Sequence, residues 1–382
     1  MDFTIPEKLS QDMARFHDFL KEHLVPKVSA WYKKGHVPPY FYRAMGQGGW
    51  FGFSLQDGQL VKKPALRAAL VMEKLATTSP GVAVAVLAHV DLGLFGLWRF
   101  ASQELQSIYA QAALKGKTVM CLGHTDPQAG SDAASISAEA VETDEGWLLR
   151  GTKAYVTNGT AGDLAIITAI TDPTAQKNNR LSMFLVDLSS EGVSRKKLNK
   201  QVWIPSDLTR IQLTDVFVPH DHLLGERGRG LQQVLTIFAH SRVPISSLTV
   251  GTAVGAFEMA LEHAEKREIF GKKLIDFQTK GFEAADLYAR IEAARLMVWK
   301  ACWAMDQGKD FRLDSSLAKY ISVMTAREVT AWAADLFGAA SVILDHPVHK
   351  FPMDAWAASL GEGTQDVQKL VIFREIMKRR RG

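Results

Sequence analysis

Cysteine is nearly absent from this chain: 382 residues contain two, Cys121 and Cys302, far apart and outside any paired motif. That excludes a disulfide framework and a Cys-based metal knuckle, and it suits a reducing compartment. Charge of one sign is also missing, because 45 Lys and Arg face 41 Asp and Glu for a formal net charge of +4. So small an excess argues against a nucleic-acid binder. The basic stretch Lys378 to Arg381 reads as a solvated helix end, favourable beside the negative end of a helix dipole.

No uninterrupted apolar run is long enough to read as a membrane span. The most apolar stretch, "GVAVAVLAHVDLGLFGLW", is broken by His89, Asp91 and several glycines, and is expected to be a buried helix pair. The N-terminus carries acids from Asp2 onward and has no apolar core of a signal peptide, so a cytoplasmic location without membrane contact is expected. A dinucleotide fingerprint is lacking too. "GQGGWFG" follows no strand pattern and "GERGRG" has the wrong order of glycines. His346 and His349 in "DHPVHK" have no third ligand type nearby, so no metal site is assigned.

What is present is a change of texture along the chain. Up to about residue 118, stretches such as "QDMARFHDFLKEHLV" and "PALRAALVMEKLA" carry apolar residues at helical spacing. From 119 to 222, short runs rich in Val, Ile, Leu and Thr, such as "LAIITAIT" and "RIQLTDVFV", alternate with turn clusters; they suggest an antiparallel sandwich or barrel. From 223 to 382 long helical patterns return, with many small residues that permit close packing.

Four stretches carry candidate chemistry. "CLGHTDPQAGSDAASI" (121–136) is a loop of Pro, Gly, Ser and Asp able to offer N–H groups and hydroxyls to a heterocycle and a pyrophosphate; a structural turn is the alternative. In "GTKAYVTNGTAGD", Tyr155 and Thr157 stand two apart, on one side of a strand, where a ring and a hydroxyl can cover a flat ligand. "KREIFGKKLIDFQ" presents Arg267, a natural phosphate partner, with Phe270, Gly271 and Gln278. "SLGEGTQDVQKLVIFRE" (359–375) sets Glu362 between glycines before a helix that Thr364 can cap and whose Val367, Leu370, Val371, Phe373 and Ile376 form an apolar face expected to be buried. For an isolated G-E-G the alternative is a solvated loop acid.

Taken in order, "TDPQAGSD", "YVTNG", "REIFGKKLIDFQ" and "GEGTQDVQKL" resemble the acyl-CoA dehydrogenase family of flavoproteins over essentially the whole chain. The resemblance implies an α+β multidomain fold: an N-terminal α-helical domain (1–118), a middle antiparallel β-barrel or sandwich domain (119–222) and a C-terminal four-helix bundle (223–382). It implies FAD, held by Leu122, Thr125, Ser131, Tyr155, Thr157, Thr364 and Asp366, with Arg267, Phe270, Gln278 and Gly338 reaching the FAD of a neighbouring subunit in a homodimer or homotetramer. It further implies an acyl-CoA channel touched by Ser131, Arg242, Gly361 and Gly363, with Glu362 as the base that takes the α-proton and flavin N5 as the hydride acceptor. An electron-transfer flavoprotein is the implied electron acceptor, and fatty-acid metabolism the setting. An acyl group on a carrier protein and a catalytically silent scaffold are the alternatives. Some relatives place the base just before the channel arginine; Ser241 stands there and cannot serve. The sequence also departs from the pattern. Tyr155 replaces a tryptophan, Asp126 a glutamate, and Gly361 a tyrosine, which leaves room for a bulky, branched or cyclic acyl group. Asp335 in "DLFGA" replaces a glutamine and puts that flavin contact in doubt.

Overall fold

The structure, a computed structural model, describes residues 4–381; Asp2, counted above among the N-terminal acids, and Gly382 lie outside it. The first part of the chain is helical: α1 (Glu7–His23), α2 (Val28–Lys34) and α3 (Pro39–Gln47), a small hairpin of β1 (Phe53–Gln56) and β2 (Gln59–Lys62), then α4 (Ala65–Thr78), α5 (Pro80–Leu87), α6 (Phe95–Phe100) and α7 (Gln103–Leu114). Between α5 and α6 the chain stays helical but widens to a π-helix at Ala88–Leu94. The expected helix pair is therefore one continuous helical stretch whose register slips by a π-segment. By length and composition Pro80–Phe100 and the later Gly230–Lys266 are apolar enough to cross a membrane, yet 94% and 83% of their most apolar windows are buried inside the protein. Both are core helices.

The middle of the chain forms one eight-stranded sheet: β3 (Met120–Gly123), β4 (Glu139–Glu142), β5 (Gly146–Thr157), β6 (Leu164–Ile170), β7 (Leu181–Asp187), β8 (Val193–Lys197), β9 (Leu208–Pro219) and β10 (Leu223–Leu224). It runs in the order β10-β7-β6-β4-β5-β9-β8, with β3 added against β6. The pairs are antiparallel except where β3, and one residue of β4, run parallel to β6. β6 and β7 are buried almost throughout because both of their faces are covered, which is why they read as continuous apolar runs.

The last part is helical again. α8 (Gly230–Lys266) leads through a hairpin of β11 (Glu268–Ile269) and β12 (Lys272–Lys273) to α9 (Gln278–Asp306), α10 (Arg312–Phe337), α11 (Lys350–Ala357) and α12 (Gln365–Arg381). α8, α9 and α10 pack on one another, α12 lies along α10, and α4 lies along α8. The small residues allow this approach: a Cβ on Gly251 of α8 collides with the Glu73 carbonyl of α4. One expectation fails in the single chain. α12 is not buried; of its residues only Gln368 is, while Leu370, Phe373 and Ile376 are exposed.

One buried ion pair fixes the loop after β3. Lys153 of β5 donates to Asp126 at 2.6 Å and to the His124 carbonyl at 3.1 Å, and both charged side chains are fully sequestered. Asp126 also accepts from the Ser137 and Ala138 N–H groups at 2.5 and 3.0 Å. Breaking such a pair leaves an uncompensated buried charge. Lys153→Met is expected to cost about 3–5 kcal/mol, with Lys153→Met/Asp126→Leu regaining only part because two N–H groups still lose their acceptor. Urea denaturation at saturating FAD measures both.

Candidate active site

Glu362 sits at the turn between α11 and α12 with a left-handed backbone, φ 55°. A non-glycine residue resists that conformation by roughly 1–2 kcal/mol, so its surroundings must impose it. They do so from three sides. The Lys319 ammonium of α10 donates to the carbonyls of both Gly361 and Gly363. Gln368 donates to the carbonyls of Glu362 (3.1 Å) and Gly363 (3.0 Å). Thr364 accepts from the Val367 N–H at 3.3 Å, the cap read from the sequence. Gly363 is itself left-handed, φ 85°, and a Cβ there meets Gln368 and Val367 at 2.9 and 3.1 Å. Around Gly361, by contrast, a Cβ finds open space.

The carboxylate of Glu362 accepts a hydrogen bond from the Ser241 hydroxyl of α8. Burial pushes its pKa above the ordinary glutamate range; the Ser241 hydrogen bond and the Lys319 and Arg242 cations oppose that shift, while Asp91 adds to it. Burial likewise pulls the Lys319 ammonium well down, opposed by Glu362. Arg242 is buried, and its Nε is among the buried polar atoms with no partner. Ser241 and Lys319 have roles here that the sequence did not reveal. Ser241 stands where some relatives place a base, and here it is a donor to the Glu362 carboxylate. Lys319 gave one signal: it shares helical spacing with the buried face of Ser315, Ser322, Ala326 and Val329.

The loop after β3 joins this place through α8. His124 meets the Phe238 ring edge-on at 5.8 Å, and Phe238 lies three residues before Ser241. Thr125, next to His124, accepts from the Ala154 N–H at 2.8 Å and so lies against β5. The hydroxyls of Thr125 and Thr157 are half-buried and make no hydrogen bond among the described residues. Tyr155 sits at a bulge with φ 56° and is 62% exposed, so strict alternation does not fix which side it shares with Thr157. Ser131 is exposed on the loop, Leu122 packs into the apolar core, and Asp366 is exposed and paired with Lys369 at 3.1 Å.

Arg267, Phe270 and Gln278 are elsewhere. Arg267 lies just beyond the far end of α8, about 38 Å along the helix from Arg242 at 1.5 Å per residue. All three are exposed, Phe270 by 94%. Gly338, at the end of α10, is open, and Asp335 is exposed, its carboxylate without a hydrogen bond or ion pair among the described residues. These residues do not meet the Glu362 site within one chain.

Three family models cover nearly the whole sequence. The acyl-CoA dehydrogenase N-terminal domain matches residues 7–117, the middle domain 121–216 and the C-terminal domain 228–377. The chain belongs to the acyl-CoA dehydrogenase family. It is 30% identical to the caffeyl-CoA reductase–Etf complex subunit CarC of Acetobacterium woodii, over 99% of this chain and all of that one. Among solved structures it superposes on butyryl-CoA dehydrogenase of Megasphaera elsdenii with TM-score 0.93, 29% identity and coverage of 99% and 100%. It matches PigA in complex with FAD and proline with TM-score 0.94, 26% identity and the same coverage. The enzymes of this family are oxidoreductases that use FAD, and the unpaired, half-buried hydroxyls of Thr125 and Thr157 suit the polar edge of that cofactor. Flavin supplies the redox chemistry when bound.

Lys319 both holds the turn and lowers the pKa of Glu362. Lys319→Met is expected to reduce the rate of flavin reduction by about a hundredfold through misplacement of the acid. It is also expected to move the acid limb of the pH–rate profile upward, since loss of the cation leaves burial less opposed. Stopped-flow flavin reduction across pH reads both.

Proposed function

We propose that this chain dehydrogenates an acyl-CoA thioester to the 2,3-enoyl thioester, with Glu362 as the base. The observation that supports this reading is the burial of the Glu362 carboxylate against Ser241, Arg242 and Lys319. A solvated loop acid has none of these neighbours, and a scaffold protein has no use for a strained, desolvated one.

The α-proton of a thioester is weakly acidic, so its removal needs a carboxylate in hydrogen-bond reach with little water near it. Glu362 takes that proton on a carboxylate oxygen; FAD, when bound, would supply the oxidising equivalent that lets the Cα–Cβ double bond form. Ser241 holds the acid in place as its charge changes. Arg242 lines the acyl-CoA channel, and its free Nε offers a donor to an oxygen of the substrate. Thr125, Thr157, Ser131 and Thr364 would hold the flavin. The open space at Gly361 suits an acyl group bulky near its reacting carbons.

The three-part division at residues 118 and 222 belongs to the same proposal, as does assembly into a homodimer or homotetramer in the cytoplasm, with electrons passed to an electron-transfer flavoprotein. Assembly is supported by exposed apolar residues on α12 and by Phe270, whose hairpin is free to reach another subunit's flavin. Phe373→Glu is expected to shift the protein toward smaller species by light scattering, with loss of bound FAD.

Anaerobic titration with acyl-CoA thioesters, and with the same acyl groups on a carrier protein, tests the chemistry. Rapid bleaching by the CoA thioesters is expected, slowed about 10²- to 10⁴-fold in Glu362→Gln with FAD still bound. Bleaching that survives in the variant removes Glu362 as base. In the wild type the acid limb of kcat/KM is expected above the ordinary glutamate pKa of 4.5: a raised pKa keeps more of the base protonated as pH falls.

A further inference from the structure

A second polar group lies one residue before Ser241 on α8 and has no part in the chemistry above. His240 Nε2 is 3.0 Å from Asp91 Oδ1, and both side chains are buried. Asp91 is carried by the π-helix at Ala88–Leu94, a widening that often marks functional positions. The His240 ring stacks on Phe95 at 3.9 Å, so its orientation is fixed. Farther along α8, Pro244 has no N–H to give the His240 carbonyl, which opens the helix at this point. His240, Asp91 and Lys62 line one small cavity whose other walls include Phe53, Val243 and Met305. Its free space is about that of a single water.

The hydrogen-bonding inventory of this cavity is mixed. An Asp91 carboxylate only accepts, so the proton between the pair sits on His240 Nε2, and the buried Nδ1 is a lone pair with no partner. Burial pulls the His240 pKa below its ordinary value, which keeps the ring neutral. Lys62 has no hydrogen bond or ion pair within 4 Å among the described residues, only its ring contact with Phe95 at 6.0 Å and longer-range charges, Asp91 foremost. A free acceptor and a free cationic donor face the same space. An ammonium group there is opposed by Lys62, and a carboxylate by Asp91 and the Nδ1 lone pair. A hydroxyl satisfies both, donating to His240 and accepting from Lys62.

We infer that this cavity receives a hydroxyl group on the acyl chain, making the substrate a hydroxylated acyl thioester. The inference rests on the proposed dehydrogenation, because it takes the chain to start at Glu362 and run along α8. Ser241, the next residue on α8, holds Glu362, and Asp91 is among the charges that act on it.

The test is flavin reduction in the purified holoenzyme with matched pairs of unsubstituted and ω-hydroxy acyl-CoA, from four to eight carbons. At one chain length the hydroxy thioester is expected to have the higher kcat/KM by about tenfold or more, since a hydroxyl fills two otherwise unpaired groups. Lys62→Met and His240→Phe are expected to bring that ratio close to one. If His240→Phe does not fold, Lys62→Met decides. Equal or better turnover of the unsubstituted chain at every length overturns the inference and leaves the dehydrogenase reading intact. A preference that survives Lys62→Met also overturns it. Bleaching by no thioester at all removes both.

Discussion

The rest of the site depends on the hold that Lys319 has on the two carbonyls flanking Glu362. A left-handed glutamate on a turn between glycines does not stay in place by its own backbone preference. A buried ammonium is also unfavourable unless its donors are used. Each problem answers the other: the turn supplies two carbonyls that the ammonium needs, and the ammonium fixes the turn that aims the acid. Gln368 and Thr364 extend the same logic into α12, so the helix start and the acid form one unit.

Charge balance around this unit has chemical meaning. Arg242 and Lys319 act on Glu362 against the rise that burial causes, and Asp91 acts with it. Arg242 has a donor left over. On the proposed reaction, loss of an α-proton would put negative charge on the thioester, and an unused donor nearby would favour that charge. The burial that raises the pKa of Glu362 makes it a stronger base once ionised, while Ser241, Lys319 and Arg242 oppose that rise. The two influences together suit an acid that must work as a base near neutral pH.

Much of this was legible in the sequence, for identifiable reasons. The textures of the three regions follow from periodicity, and periodicity is set by which faces are covered. The G-E-G turn and its Thr364 cap are local, so they showed. Lys319 did not, because it meets Glu362 across 43 positions through a helix face that reads simply as small and apolar. Ser241 was visible but was judged by what it cannot do as a base. The π-segment at Ala88–Leu94 was hidden because a run of Ala, Val and Leu gives no sign of where a helix widens. Asp91 reads in the sequence as an interruption of one apolar stretch and His240 carries no signal there; folding makes them a pair.

The apolar face of α12 shows where a single chain stops being a sufficient frame. Its spacing is that of a packed helix, yet Leu370, Phe373 and Ile376 are exposed. Periodicity reports that a face is to be covered, and is silent on whether the cover comes from the same chain. Arg267 and Phe270 pose the matching question from the far end of α8, about 38 Å along the helix from Arg242, as exposed polar and aromatic side chains without a side-chain partner among the described residues. An uncovered apolar helix beside the site and an idle arginine hairpin far from it are complementary deficits. A second copy related by a two-fold axis can meet both at once, because the same rotation that brings one hairpin to the partner brings the partner's hairpin back. On that view the same chain must satisfy two constraints: a site that is strained and internally held, and a surface that is incomplete alone.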